Sequence, residues 1–125
     1  MSVKADPNDS MRRTLDALPD VAGLFDLDGT ILMVNAAGAA WLGRTRHNVV
    51  GRSISEFLPA EAAAFRLQLT ADVARTGQPA MFVEEKNGRW YERRVYPVRD
   101  EAGRVTNVAV QLTDVTERHL AEQQQ

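Results

Sequence analysis

The sequence predicts an α+β fold: a five-stranded antiparallel sheet with short helices and one longer helix packed on one face. Three observations carry this. Two short apolar runs rich in branched residues, Val21 to Phe25 and Ile31 to Val34, flank DLDGT, whose Asp-Gly pair suits a hairpin because Gly accepts the positive φ such turns require. Three strand-like segments follow Pro79 in succession, Ala80 to Lys86, Arg89 to Arg99 and Val105 to Asp114, split by Asn87-Gly88 and by DEAGR. Between the two strand groups the period is helical, from Ala60 to about Thr76. Strands that follow one another directly, without alternating helices, pair antiparallel.

Taken in order, residues 1–9 are expected to form a disordered leader, polar and broken by Pro7. Asp9 or Ser10 then caps a short helix whose Met11, Leu15 and Leu18 form one apolar stripe, ended by Pro19. This N-terminal helix is expected on or near the sheet face opposite the other helices. Asn35 is a suitable N-cap for AAGAAWLG, closed by Gly43, and Thr45 for a turn closed by Gly51. Ser53 to Leu58 reads as one more helical turn before Pro59. In the long helix Ala64, Phe65, Leu67, Leu69 and Val73 supply apolar area, and Gly77-Gln78-Pro79 ends it. A last helix starts near Thr116.

A chain of 125 residues, 44% hydrophobic and 26% charged, has the profile of one globular domain. With no cysteine, disulfides, thiolate metal sites and cysteine nucleophiles are excluded. A net charge of −2 argues against a nucleic-acid surface, although of the 15 basic residues only Lys4 and Lys86 are lysine. MSVKADPNDS lacks the apolar core of a signal peptide and no run approaches the ~20 apolar residues of a membrane span, so a cytoplasmic location is expected. His47 and His119 fall on helical surface with no second ligand at usable spacing and are expected to be solvated; no metal site is expected.

Asp26 to Thr30 also resembles the nucleophile motif of haloacid-dehalogenase phosphatases. That chemistry requires Asp26 to end a parallel strand, with a downstream Lys and a further acidic pair converging on phosphate and metal. Lys4 lies upstream, Lys86 sits at a hairpin and Asp100-Glu101 lies in a turn between antiparallel strands. The motif is therefore read as a turn, no catalytic residue is assigned, and the phosphatase remains a remote alternative.

From about Leu15 to Glu122 the chain resembles a PAS domain, the sensory module of many bacterial signalling proteins. DALPDVAGLFDLDGTILMVN is similar to the leading helix and first hairpin of the family, and AAGAAWLGRTRHNVVGRSISEFLP to its short-helix region. RWYERRVYPVRDEAGRV is similar to the hairpin of the last two strands, and DVTER to the Asp-x-Thr junction from which a signalling helix leaves. The resemblance implies a sensor domain over residues 10–115, a signalling or linker helix beginning over 116–125, and Asp114 and Thr116 as the signal junction. It also implies an absent output domain such as a histidine kinase, diguanylate cyclase or transcription regulator. No cofactor is assigned. The cysteinyl–flavin adduct of the light-sensing branch is impossible here, and the long helix lacks the His that serves a haem-binding relative as axial ligand. Non-covalent flavin stays open.

Alternation in the final strand puts Val108, Val110 and Leu112 on its buried face. Segment 89–99 is ambiguous by hydrophobicity, since one parity presents Tyr91, Arg93 and Val95 and the other Trp90, Glu92, Arg94 and Tyr96. The spacing of light-sensing PAS relatives, counted back from Pro97, implies that Tyr91, Arg93 and Val95 face inward, joined by Val83. A guanidinium at position 93 then needs a partner, either Glu85 on the neighbouring strand or an organic-acid ligand. Trp90 and Tyr96 are left on the outer face, where the Met11, Leu15 and Leu18 stripe is the expected cover, within one chain or across a homodimer as in many family members. Two readings follow, a ligand sensor and a ligand-free dimerising adaptor.

Overall fold

The first hairpin forms where the sequence places it. Val21–Asp26 (β1) and Ile31–Val34 (β2) pair antiparallel around a turn in which Gly29 Nα donates to Asp26 O and Asp28 Oδ1 accepts from the Thr30 amide. The structure is a computed structural model that describes residues 7–18 and 20–124. The second strand group is Ala80–Lys86 (β3), Arg89–Arg99 (β4) and Val105–Asp114 (β5), all antiparallel. Asn87 and Gly88, with φ of 54° and 80°, make the tight turn between β3 and β4. The sheet order is β2-β1-β5-β4-β3, so the last strand lies at the centre beside the first. Asp26 thus ends a strand with antiparallel neighbours on both sides, unlike the parallel strand end that carries a phosphatase nucleophile.

The helices are Pro7–Ala17 (α1), Ala36–Trp41 (α2), Ala60–Thr76 (α3) and Thr116–Gln123 (α4), with single 3₁₀ turns at Arg46–Asn48 and Ile54–Glu56. Helix α1 starts earlier than the cap expected at Asp9 or Ser10, so residues 7–9 belong to it; residues 1–6 of the expected leader, and Pro19, lie outside the described residues. Helix α3 ends at Gly77, whose φ of 69° closes it. The turn at Ile54–Glu56 carries a full capping box between Ser53 and Glu56.

One face of the sheet is set by register. Val21, Gly23 and Phe25 oppose Leu112, Val110 and Val108, which in turn oppose Arg93, Val95 and Pro97. On this face Val95 and Val108 pack against Val73 of α3. A second cluster, Ile31, Val34, Ala39, Val49 and Ile54, closes the β2–α2 end. In α3 the buried stripe runs through Ala63 and Val73, while Ala64 and Phe65, expected to supply core area, are exposed; Phe65 instead meets Phe82 edge-on at 5.3 Å.

Candidate functional site

Between this sheet face and the helices lies a cavity of about 70 Å³. The sheet contributes Val21, Gly23, Phe25, Arg93, Val95 and Val110; the helices contribute Trp41, Leu42, Arg66, Leu67, Leu69 and Thr70. Glycine keeps part of it open: a Cβ on Gly23 would stand 3.0 Å from the Phe25 ring and 3.1 Å from Met33 O. At Gly29, with φ of 91°, a Cβ would lie 2.6 Å from Leu67 Cδ2. This volume is well below the ~300–1,000 Å³ of typical cofactor pockets.

The wall is apolar except at one place. Arg93 Nε and Nη2 donate to Glu84 Oε1 at 3.1 and 2.8 Å, and Arg66 Nη2 stands 3.7 Å from Glu84 Oε2. Burial, and then the neighbouring Arg93, push Arg66 down to about 10; burial lowers Arg93 as well, against the pull of Glu84. Two cations therefore share one carboxylate. Beside them Trp41 meets Tyr91 edge-on at 4.6 Å, with Lys86 Nζ 4.0 Å above the indole.

The opposite face of β4 holds the last helix. Trp90 stacks on His119 at 4.0 Å, and the buried Glu92 accepts from Arg94 Nε at 2.6 Å and from Arg118 Nη2 at 2.9 Å. Asp114 Oδ1 accepts from the Thr116 amide at 3.0 Å and its hydroxyl at 2.6 Å, while Thr116 Oγ1 accepts from the Trp90 amide at 2.9 Å. The Asp-x-Thr pair thereby joins the end of β5, the start of β4 and the first turn of α4.

A five-stranded sheet of order 2-1-5-4-3, helices across one face and a helix leaving the central strand at Asp-x-Thr together define a family, and a model of the PAS fold matches residues 15–120. The chain belongs to the PAS family. A domain of an HTR-like protein from Haloarcula marismortui is 28% identical, with a TM-score of 0.67 over 79% of this chain and 100% of that one. The PAS domain of Bordetella pertussis BvgS is 23% identical, with a TM-score of 0.77 over 96% and 94%. VqmA bound to DPO is 20% identical, with a TM-score of 0.71 over 84% of this chain and 56% of that one. No curated protein matches the chain.

The residues singled out in the sequence divide in this PAS domain. Arg93, Val95 and Val110 line the cavity. Val108 and Leu112 are buried on the same face without lining it, and Tyr91 backs Trp41. Val83 is on the other face: it pairs with Glu92 and is 43% exposed, whereas its neighbour Phe82 pairs with Arg93 and faces inward. The same parity makes Glu84, not Glu85, the partner of Arg93; Glu85 caps the Gly88 amide. Trp90 is covered by His119 of α4 in place of the α1 stripe, so His119 is half-buried instead of solvated, while His47 is exposed. Leu15 is half-buried and Leu18 is 39% exposed; the Met11 side chain lies outside the described residues. Among the described residues no acidic or histidine group of three could hold a metal.

Arg66, Thr70 and Trp41 were not anticipated. The available signal was period: Ala63, Arg66, Thr70 and Val73 fall at i, i+3, i+7 and i+10, which puts a charge on the buried stripe of α3.

Arg89, and then Thr116, hold the Asp114 carboxyl far below its ordinary value of 3.8. A depressed folded value means stability that is present above pH 3.8 and lost as pH falls through the lower folded value. Asp114→Asn is expected to cost about 1 kcal/mol or less at neutral pH, because its bonds to Arg89 and Thr116 are partly exposed and surface charge pairs are worth ~0.2–1 kcal/mol. Melting temperatures of the two proteins should converge below pH 3.8; a constant gap down to pH 2 contradicts the assignment.

Proposed function

We propose that this PAS domain is a sensor that binds a small ligand in the α2–α3 cavity and passes its state through α4 to an output domain of the parent protein. One observation carries the reading. A single strand, β4, presents Arg93 and Val95 to the cavity and Trp90 and Glu92 to α4, so a shift of β4 on one face moves the attachment of the helix on the other. The family is sensory in general, and a sensory box histidine kinase of Vibrio cholerae shares the fold with a TM-score of 0.71. Histidine kinase, diguanylate cyclase and transcription-regulator outputs all suit this arrangement. A cytoplasmic setting fits it too, and no helix among the described residues is long and apolar enough to cross a membrane.

The domain is also proposed to act as a homodimer. Met81, Val83 and Tyr96 are exposed on the outer face, at 55%, 43% and 38%. Asp20 borders that face, where it accepts from Gln111 Nε2 and Thr113 Oγ1, and Leu18, two residues before it, is 39% exposed. This surface is what favours the adaptor as second reading, in which dimerisation is the whole task. Native mass spectrometry separates the two. The sensor predicts a dimer with a co-purified small mass released by collisional activation; a dimer with none, repeated after expression in rich and minimal media, favours the adaptor, and a monomer at high micromolar concentration removes the dimer.

A further inference from the structure

We propose that the cavity ligand is a short-chain aliphatic monocarboxylate, and that Arg66 with Thr70, not Arg93, supplies the donors that hold it. The proposal rests on the ligand-sensor reading above. Arg93 is already committed: two of its nitrogens donate to Glu84, and its side chain is 9% exposed. Arg66 lines the same cavity, yet its contact with Glu84 at 3.7 Å is beyond hydrogen-bond range, and it makes no hydrogen bond among the described residues. Thr70, one turn further along the same face of α3, lines the cavity with a hydroxyl that likewise bonds nothing among the described residues. A planar fork and a hydroxyl side by side suit the two oxygens of a carboxylate.

Charge sets the valence of the ligand. Arg66, Arg93 and Glu84 sum to one positive charge in an apolar wall, and a single carboxylate neutralises it. A dicarboxylate would bring a second charge with no cation to meet it, and a phosphate dianion would leave one charge uncompensated. Size sets the tail. A cavity of ~150 Å³ holds benzene, six heavy atoms, so in proportion 70 Å³ holds about three to four, a carboxylate with at most one carbon beyond it, against Leu67, Leu69, Val95 and Val110.

Isothermal titration and thermal melts with formate and acetate, against formamide, acetamide and sodium chloride at matched ionic strength, test this on the full chain. The acids should bind and raise the melting temperature while the amides and chloride do not. Arg66→Met should lose at least tenfold in affinity, Arg66→Lys should recover part of it, and Thr70→Val should lose a few-fold. Unliganded Arg66→Met should melt at or above the wild-type temperature, because an uncompensated charge has been removed, and this confirms that the variant folds. Amides that bind as well as acids, or an acid response that survives Arg66→Met, would overturn the proposal. So would chloride matching acetate, or no acid binding at all. In each of these cases a neutral mass co-purifying in the native spectrum would leave the sensor reading standing.

Discussion

Asn35→Ala should lower the stability of the domain by about 3–5 kcal/mol, a large share of the ~5–15 kcal/mol typical of a domain. Asn35 is 1% exposed, and its amide spans three elements. Oδ1 accepts from Ala22 N at 3.1 Å and Gly38 N at 2.8 Å; Nδ2 donates to Leu15 O at 3.0 Å and Asp20 O at 2.7 Å. One side chain therefore caps α2, ties it to β1 and fastens the end of α1. Alanine strands the buried amides of Ala22 and Gly38, each worth ~1–3 kcal/mol where water cannot reach it, and removes a bond from the half-buried Asp20 carbonyl, while the Leu15 carbonyl keeps its bond from the Leu18 amide. Asn35→Asp keeps both acceptors but turns a carboxylate oxygen toward two carbonyls, so it should be about as damaging. Urea unfolding decides: a loss under 1 kcal/mol for alanine, or an aspartate variant as stable as the wild type, would show that these bonds do not organise the junction.

The sequence carries the cap of Asn35 but not its reach. Asparagine before a run of small residues signals a helix start through local chemistry alone. The carbonyls of Leu15 and Asp20 come to it only after the chain has folded, and no spacing rule announces them. The same division runs through the fold. Hairpins were legible because Asp28-Gly29 and Asn87-Gly88 encode their turns in dipeptides, and α3 because Gly77 closes it. The facing of strand β3 was not, because Met81, Phe82 and Val83 are all apolar and give no alternation; it is an edge strand whose outer face no other element covers among the described residues, so hydrophobicity does not mark its inner face. That ambiguity misplaced Val83 and substituted Glu85 for Glu84. Trp90 lies on the outer parity, where its cover comes from His119, beyond β5 in sequence, and a stacked imidazole leaves no periodic signature.

Glu84→Gln is the second large effect, and it tests whether the charge balance at the cavity is structural. Glu84 is the only carboxylate in an ion pair with Arg93 or Arg66 among the described residues, and Arg93 cannot shed its proton. Glutamine keeps the shape and one acceptor, but leaves two cations facing each other without a counter-charge in a largely apolar wall. Breaking a buried pair costs ~3–5 kcal/mol; the Glu84 side chain retains 25% exposure, so about 2–4 kcal/mol is expected. Arg93→Met alone should cost less, since it leaves Glu84 near both water and Arg66. Glu84→Gln with Arg93→Met should be more stable than Glu84→Gln alone, because one positive charge is removed together with its missing partner. Chemical denaturation of the four proteins gives the coupling energy directly. A coupling below ~0.5 kcal/mol would place the pair among exposed, screened contacts and would mean that the cavity tolerates a bare guanidinium without needing an anion.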